Sequence, residues 1–152
     1  MKATWMIALA GAMALGSNPV LAQSFTFESK NDAPSIVGTT APDGSPIMGV
    51  YGTGTSNITW ADGKKTVDRY ACVSMSQPPH NTVFAVHIIC DGKNAGGDYT
   101  VMAGCQFLNA ARTELGCSGG MWGKSGSYAG KRGGITWHGS NAASTGVGQW
   151  NN

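Results

Sequence analysis

Charge is scarce in this chain. Asp, Glu, Lys and Arg make up 12% of its 152 residues, and the formal net charge is +2. Binding nucleic acid takes a clustered basic surface to neutralise phosphates, so no nucleic acid partner is expected. No Cys-x-x-Cys pair and no close histidine pair occurs, which argues against zinc or any other metal. No cofactor is implied by any motif. Helical periodicity is missing too: beyond residue 22, no segment of ten or more residues repeats apolar side chains every 3.6 positions. Long apolar runs are confined to Met6 to Leu15, too short to span a membrane.

Around that run the start of the chain reads as an export signal. Lys2 supplies the positive end, Gly16-Ser17-Asn18-Pro19 breaks the apolar stretch, and Val20-Leu21-Ala22 offers small residues for cleavage. The expectation is a signal peptide over 1–22 and a mature chain from Gln23, periplasmic or extracellular, with no membrane association after cleavage. The remaining 130 residues suffice for one domain with one core. Gly, Ser, Thr and Asn carry the polarity that charge does not, a composition suited to short strands and many turns.

The strand signals divide the mature chain at about residue 46. Residues 23–46 hold one strand, Phe25 to Glu28, and then a loop marked by Asp32, Pro34, Pro42, Asp43, Gly44 and Pro46. Residues 47–152 form the body. Ile47 to Trp60 runs into Asp62-Gly63, a strong hairpin signal, and Thr66 to Met75 returns. Val83 to Cys90 is the clearest strand, with apolar residues on both faces. Its outer face is therefore expected to be covered, by the 23–46 segment or by another copy in a homo-oligomer. Asp91 to Asp98 reads as a loop, followed by strands Tyr99–Leu108, Thr113–Met121, Gly134–His138 and Gly146–Trp150. About eight strands joined by short turns indicate an all-β fold, a single antiparallel β-barrel with a β-sandwich as the alternative. Closure removes edges that so few charges could not protect.

Cys72, Cys90, Cys105 and Cys117 all lie in the mature part, where oxidation is expected. Four cysteines allow three pairings. Asn109 to Thr113 looks like a hairpin loop centred on residue 111, so Cys105 and Cys117 would face each other across it. Cys72–Cys90 follows by elimination.

The densest glycine pattern is Gly123-Lys124-Ser125-Gly126-Ser127-Tyr128-Ala129-Gly130-Lys131-Arg132-Gly133, running into Gly134-Ile135-Thr136-Trp137-His138. Such spacing forbids a helix and marks sharp turns with close backbone approach. The stretch resembles the Gly-Gly-x-Gly-x-Phe/Tyr-x-Gly-x-x-Gly pattern of allene oxide cyclases and the related dirigent proteins, with Lys124 where glycine is usual. The cysteines and the ending Gly146-Val147-Gly148-Gln149-Trp150 also resemble a group of small bacterial exported proteins. The resemblance implies an eight-stranded barrel, often oligomeric among the plant enzymes. It carries over no catalytic residue, and the plant enzymes lack these cysteines.

Motifs that carry chemistry are weak. Gly116-Cys117-Ser118-Gly119-Gly120 matches a nucleophile string, but no helix follows Ser118. Ser118 to Ser125 misses the first glycine of a phosphate loop. His80 lies in a Pro-Pro turn, and His87 shares a strand face with Val83, Ala85 and Ile89. His138 is the one candidate for proton transfer, given a carboxylate beside it. Lys124, Lys131 and Arg132 could meet an acidic headgroup at a barrel mouth. Among the aromatics, Trp122, Tyr128 and Trp137 are the candidate ligand-binding residues, lining a pocket for a small apolar or amphipathic molecule. A binding or structural barrel is therefore the expected role. The alternatives are an isomerase or cyclase acting on a lipid-like substrate, as the resemblance suggests, or a lectin using Trp faces.

Overall fold

A computed structural model describes residues 23–77 and 83–151; the expected export signal and the turn carrying His80 lie outside the described residues. Nine strands follow in chain order: β1 (Gln23–Asn31), β2 (Ser35–Thr40), β3 (Pro46–Trp60), β4 (Lys65–Ser76), β5 (Val86–Asn94), β6 (Gly97–Phe107), β7 (Leu115–Gly123), β8 (Arg132–Gly139) and β9 (Ala143–Asn151). A single 3₁₀ turn, Gly126–Tyr128, sits between β7 and β8. Every pairing is antiparallel, and β1 pairs both β9 and β3, which closes eight strands into a barrel. β2 is the ninth, hydrogen-bonded only to the first half of β3 and projecting beyond the barrel.

Several sequence expectations need correction. The supposed loop after Glu28 contains the end of β1 and all of β2. Asp32-Ala33-Pro34 interrupts what is otherwise one edge along β3, because the β3 register shifts by one residue between β1 and β2. Pro34, lacking an N–H, falls in that break. The supposed loop from Asp91 to Asp98 is a tight hairpin, since β5 runs to Asn94 and β6 starts at Gly97. Glycine was the misleading signal there. β5 starts at Val86, and Phe84 lies on the outside of the barrel against His87 and Gly104. The 23–46 segment does not cover β5: it joins the sheet beside β3 and β9, and Ile89 is 50% exposed. Ile89 belongs to an apolar row of paired residues on the outer surface, Tyr51, Val73, Ile89 and Met102.

Strand parity decides what fills the interior. Even-numbered positions of β3, β4, β5 and β9 point inward, with odd-numbered positions of β1, β6, β7 and β8. The inward residues alternate large and small around the barrel. Tyr70 is paired between Gly54 and Gly92, and Tyr99 between Gly92 and Gly123. Phe25, Phe27, Trp137 and Trp150 stand across from Gly148, Gly146, Gly146 and Gly133. The chain has 23 glycines, and these strand-borne ones make space for rings rather than turns.

Both disulfides close as expected, Cys72–Cys90 and Cys105–Cys117. Each joins directly opposed residues of neighbouring strands. Cys105 and Cys117 pack with Val86 and Ala103 into one core cluster; Phe25, Phe27, Ile58, Val101, Met121, Tyr128 and Trp150 form the other.

Candidate ligand-binding site

The glycine ladder is the stopper of the barrel. β7 ends at Gly123, the chain makes its 3₁₀ turn, and β8 leaves at Arg132, all at the end where β1 begins. Gly123 has no room for a side chain, since a Cβ there would lie 1.6 Å from the Tyr128 carbonyl oxygen. Gly126 adopts φ +59 while resting on Gly96, a combination only glycine meets without strain. These two positions let the turn fold inward and drive Tyr128 into the barrel, where it is 5% exposed. Its ring stacks on Trp150 at 5.1 Å and meets Tyr99 edge-on at 5.6 Å. Trp60 lies 6.5 Å away, itself packed against Phe25.

Below this stopper the barrel is hollow. A cavity of about 240 Å³ extends from the ring cluster toward the opposite end. Its walls are mainly apolar, from Phe25, Phe27, Ile58, Met121, Ile135 and Trp137. At the open end Asn31, Asp32, Ser140 and Asn141 border it. Asn31 ties that rim together: its amide Nδ2 donates to the Asn141 carbonyl at 2.9 Å, and its Oδ1 accepts the Tyr70 hydroxyl at 2.5 Å.

Polar side chains also face the interior between rim and stopper. Ser29 and Ser56 share a 2.6 Å hydrogen bond. Tyr70 crosses from β4. Asp68 is 3% exposed and receives one donor on each oxygen, Asn94 Nδ2 on Oδ1 at 2.7 Å and the Tyr99 hydroxyl on Oδ2 at 2.5 Å. Asn94 also donates to the Tyr128 hydroxyl at 2.8 Å, linking the carboxylate to the stopper.

Burial dominates the electrostatics. Desolvation raises the Asp68 carboxyl above its ordinary value of 3.8, and the bonds from Tyr99 and Asn94 only partly oppose it. Burial raises Tyr99 strongly, and the nearby Asp68 charge adds to the effect. Tyr128 and Tyr70 are raised by burial as well. Among the described residues no Lys, Arg or His lines the cavity.

The residues singled out from sequence separate on this geometry. Trp137 and Tyr128 line the cavity. Trp122 does not: parity turns it outward, where its ring lies over Gly120 and beneath the Arg132 guanidinium at 5.7 Å. His138 also faces outward and is exposed, so it does not reach the interior. Glu28 shares its outer face with Thr145 paired between them, a separation of two strand spacings, ~10 Å. Ser118 is an exposed mid-strand residue beside a disulfide cysteine, not a nucleophile elbow. Lys124 pairs with Asp91 at 2.9 Å, and Lys131 donates to Gln23 Oε1 at 3.2 Å. These cations sit around the closed end, so they do not guard the mouth.

Sequence reading missed Asp68, Tyr99, Tyr70 and Asn94. A signal for two of them existed. Asp68 and Tyr70 lie four and two positions before Cys72, so period-2 alternation puts them on the face of a half-buried cystine. Among the described residues no group of three or more His, Cys, Asp or Glu could hold a metal ion, and no helix is long and apolar enough to cross a membrane.

No family model matches the chain, and neither the curated proteins nor the solved structures compared with it give a match.

Proposed function

We propose that the barrel holds a small apolar or amphipathic molecule, and that export carries the protein to the periplasm or the medium. One observation carries the reading: the interior retains about 240 Å³ of space although large rings surround it. Unfilled volume in a core costs roughly 24 cal/mol per Å³ in packing, so a barrel with only a structural duty gains by filling it. The space is also accessible, because the ladder closes one end and leaves the rim at Asn31 and Asn141 open. Pockets for drug-sized ligands run to roughly 300–1,000 Å³, so the molecule held in this cavity of about 240 Å³ is smaller than those. Two disulfides are in keeping with an oxidising compartment and offset the stability that the cavity forgoes.

A second reading, an isomerase or cyclase acting on a lipid-like substrate, draws on the ladder's resemblance to allene oxide cyclases and on a buried carboxylate beside a mainly apolar cavity.

Native mass spectrometry of protein purified from its own exported fraction tests the first reading. The expected spectrum contains a small molecule that leaves on denaturation. Ligand-free protein that also ignores a panel of small apolar compounds would overturn it. The same spectrum gives the number of subunits, which tests the homo-oligomer expected from the apolar outer surface.

A further inference from the structure

Asp68 is the feature of the cavity that an apolar ligand leaves unexplained. It is a carboxylate with 3% exposure, and its hydrogen-bond donors, Asn94 and Tyr99, are both neutral. A buried carboxylate is normally paired with a cation, because neutral donors recover only part of its lost hydration. Among the described residues, the faces around it hold none. On β4 its inward neighbours are Thr66 and Tyr70; across on β3 stand Ser56 and Ile58. Asn94 of β5, Tyr99 of β6 and Tyr128 of the stopper complete the surroundings. The titratable groups in that set are the three tyrosines, all held neutral by burial.

A second and independent observation points the same way. The closed end of the cavity is walled by Phe25, Trp60, Tyr99, Tyr128 and Trp150, with neighbouring ring centroids 5.1 to 6.5 Å apart. Ring faces carry negative potential and attract cations, most strongly where water is excluded. Carboxylate and rings thus impose one sign of field on a cavity that no Lys, Arg or His among the described residues opposes. An anionic headgroup would meet that field unpaired.

We propose that the ligand is a small apolar cation, an amine or quaternary ammonium whose charged head seats against Asp68 and the ring cluster while its apolar body fills the cavity toward Trp137. This rests on the reading of the barrel as a binder and names the class of molecule it takes. Ligand and carboxylate each supply the other's missing countercharge. Binding therefore requires ionised Asp68, and it returns the carboxyl toward its ordinary value.

Three probes of similar size and different charge decide the matter: phenethylamine, phenethyl alcohol and 3-phenylpropionate, titrated calorimetrically into the purified protein. Near neutral pH the amine is expected to bind at least about tenfold more tightly than the alcohol, and the acid most weakly. In Asp68→Asn the amine should lose that advantage over the alcohol, and circular dichroism checks that the variant is folded. The unaltered protein gives a check without mutation: the amine's advantage should fade as pH drops through the raised Asp68 value. Equal affinities for all three probes, or an unchanged ranking in Asp68→Asn, overturn the cation assignment and leave the cavity a binding site. Binding of none of them, together with ligand-free native protein, removes the binding reading as well.

Discussion

The Tyr99 hydroxyl reaches Asp68 Oδ2 at 2.5 Å by passing over an intervening strand. Asp68 is on β4, Tyr99 on β6, and Gly92 of β5 lies beneath the ring. A Cβ at Gly92 would stand 2.2 Å from Tyr99 Cζ and 2.6 Å from its hydroxyl. One missing side chain thus permits a hydrogen bond between residues 31 positions apart in the sequence.

Tyr99→Phe removes that donor and keeps the ring. Asp68 then retains only Asn94, and stability is expected to fall by about 1.5–3 kcal/mol, the usual worth of a hydrogen bond to a charged group. Urea denaturation measures it; a change below a few tenths of a kcal/mol would mean that water replaces the phenol.

Gly92→Ala should destabilise by about 1–3 kcal/mol through overpacking, since the Tyr99 ring is confined between Gly92 and Gly123. The two positions must couple. The double variant Gly92→Ala/Tyr99→Ala is expected to lose less than the sum of its single changes. Strict additivity in a double-mutant cycle would dissociate the ring from the glycine.

The Asp68 carboxyl titrates above 3.8 in the fold, so the sign of its pH effect is defined. Between 3.8 and the raised folded value the native state holds a proton that the unfolded chain has released. Stability from this group is therefore full below 3.8 and declines as pH rises through the folded value. Asp68→Asn does not titrate, so the stability difference between wild type and variant should move in the variant's favour over that window. Denaturation midpoints of both proteins between pH 3 and pH 8 check it, and a difference moving the other way would mean that the fold lowers this carboxyl.

The two disulfides should differ in accessibility. Cys105 and Cys117 are 0% and 5% exposed in a packed cluster, whereas Cys72 and Cys90 are half-buried and border the cavity. Mild reduction followed by alkylation and mass spectrometry is expected to label Cys72 and Cys90 first. Replacing either pair with serine should cost about 2–4 kcal/mol.

Trp137 and Trp122 separate the inside of the barrel from the outside. Trp137→Ala should change phenethyl alcohol affinity severalfold or more, because its ring forms part of the cavity wall. Trp122→Ala, on the outer face under Arg132, should leave it unchanged. Reversed outcomes would place the binding surface on the exterior.

Legibility followed the range of the interactions. The β8 strand and the 61–64 hairpin could be read because alternation and Asp-Gly turns act over a few neighbouring residues. The pairing of Cys105 with Cys117 was readable for the same reason, being the symmetry of one short hairpin. β2 was not: Asp32 and Pro34 before it and Pro42-Asp43-Gly44 after it mark a loop, and its support comes from the first half of β3. Trp122 and Trp137 look alike in sequence, and only the parity of their strands separates them.

By itself the sequence determined the class of fold: alternation, turn residues, cysteine spacing and scarce charge leave antiparallel strands as the way to satisfy the backbone. Tertiary structure alone decided that the cylinder is hollow, that the glycine ladder is its stopper, and that Asp68 lies inside with neutral donors on both its oxygens. The reason is that closure joins β1 to β3 and draws the stopper's Tyr128 toward Asn94, contacts that depend on every intervening register at once. No local pattern encodes such a sum, and the cavity is what remains after it is taken.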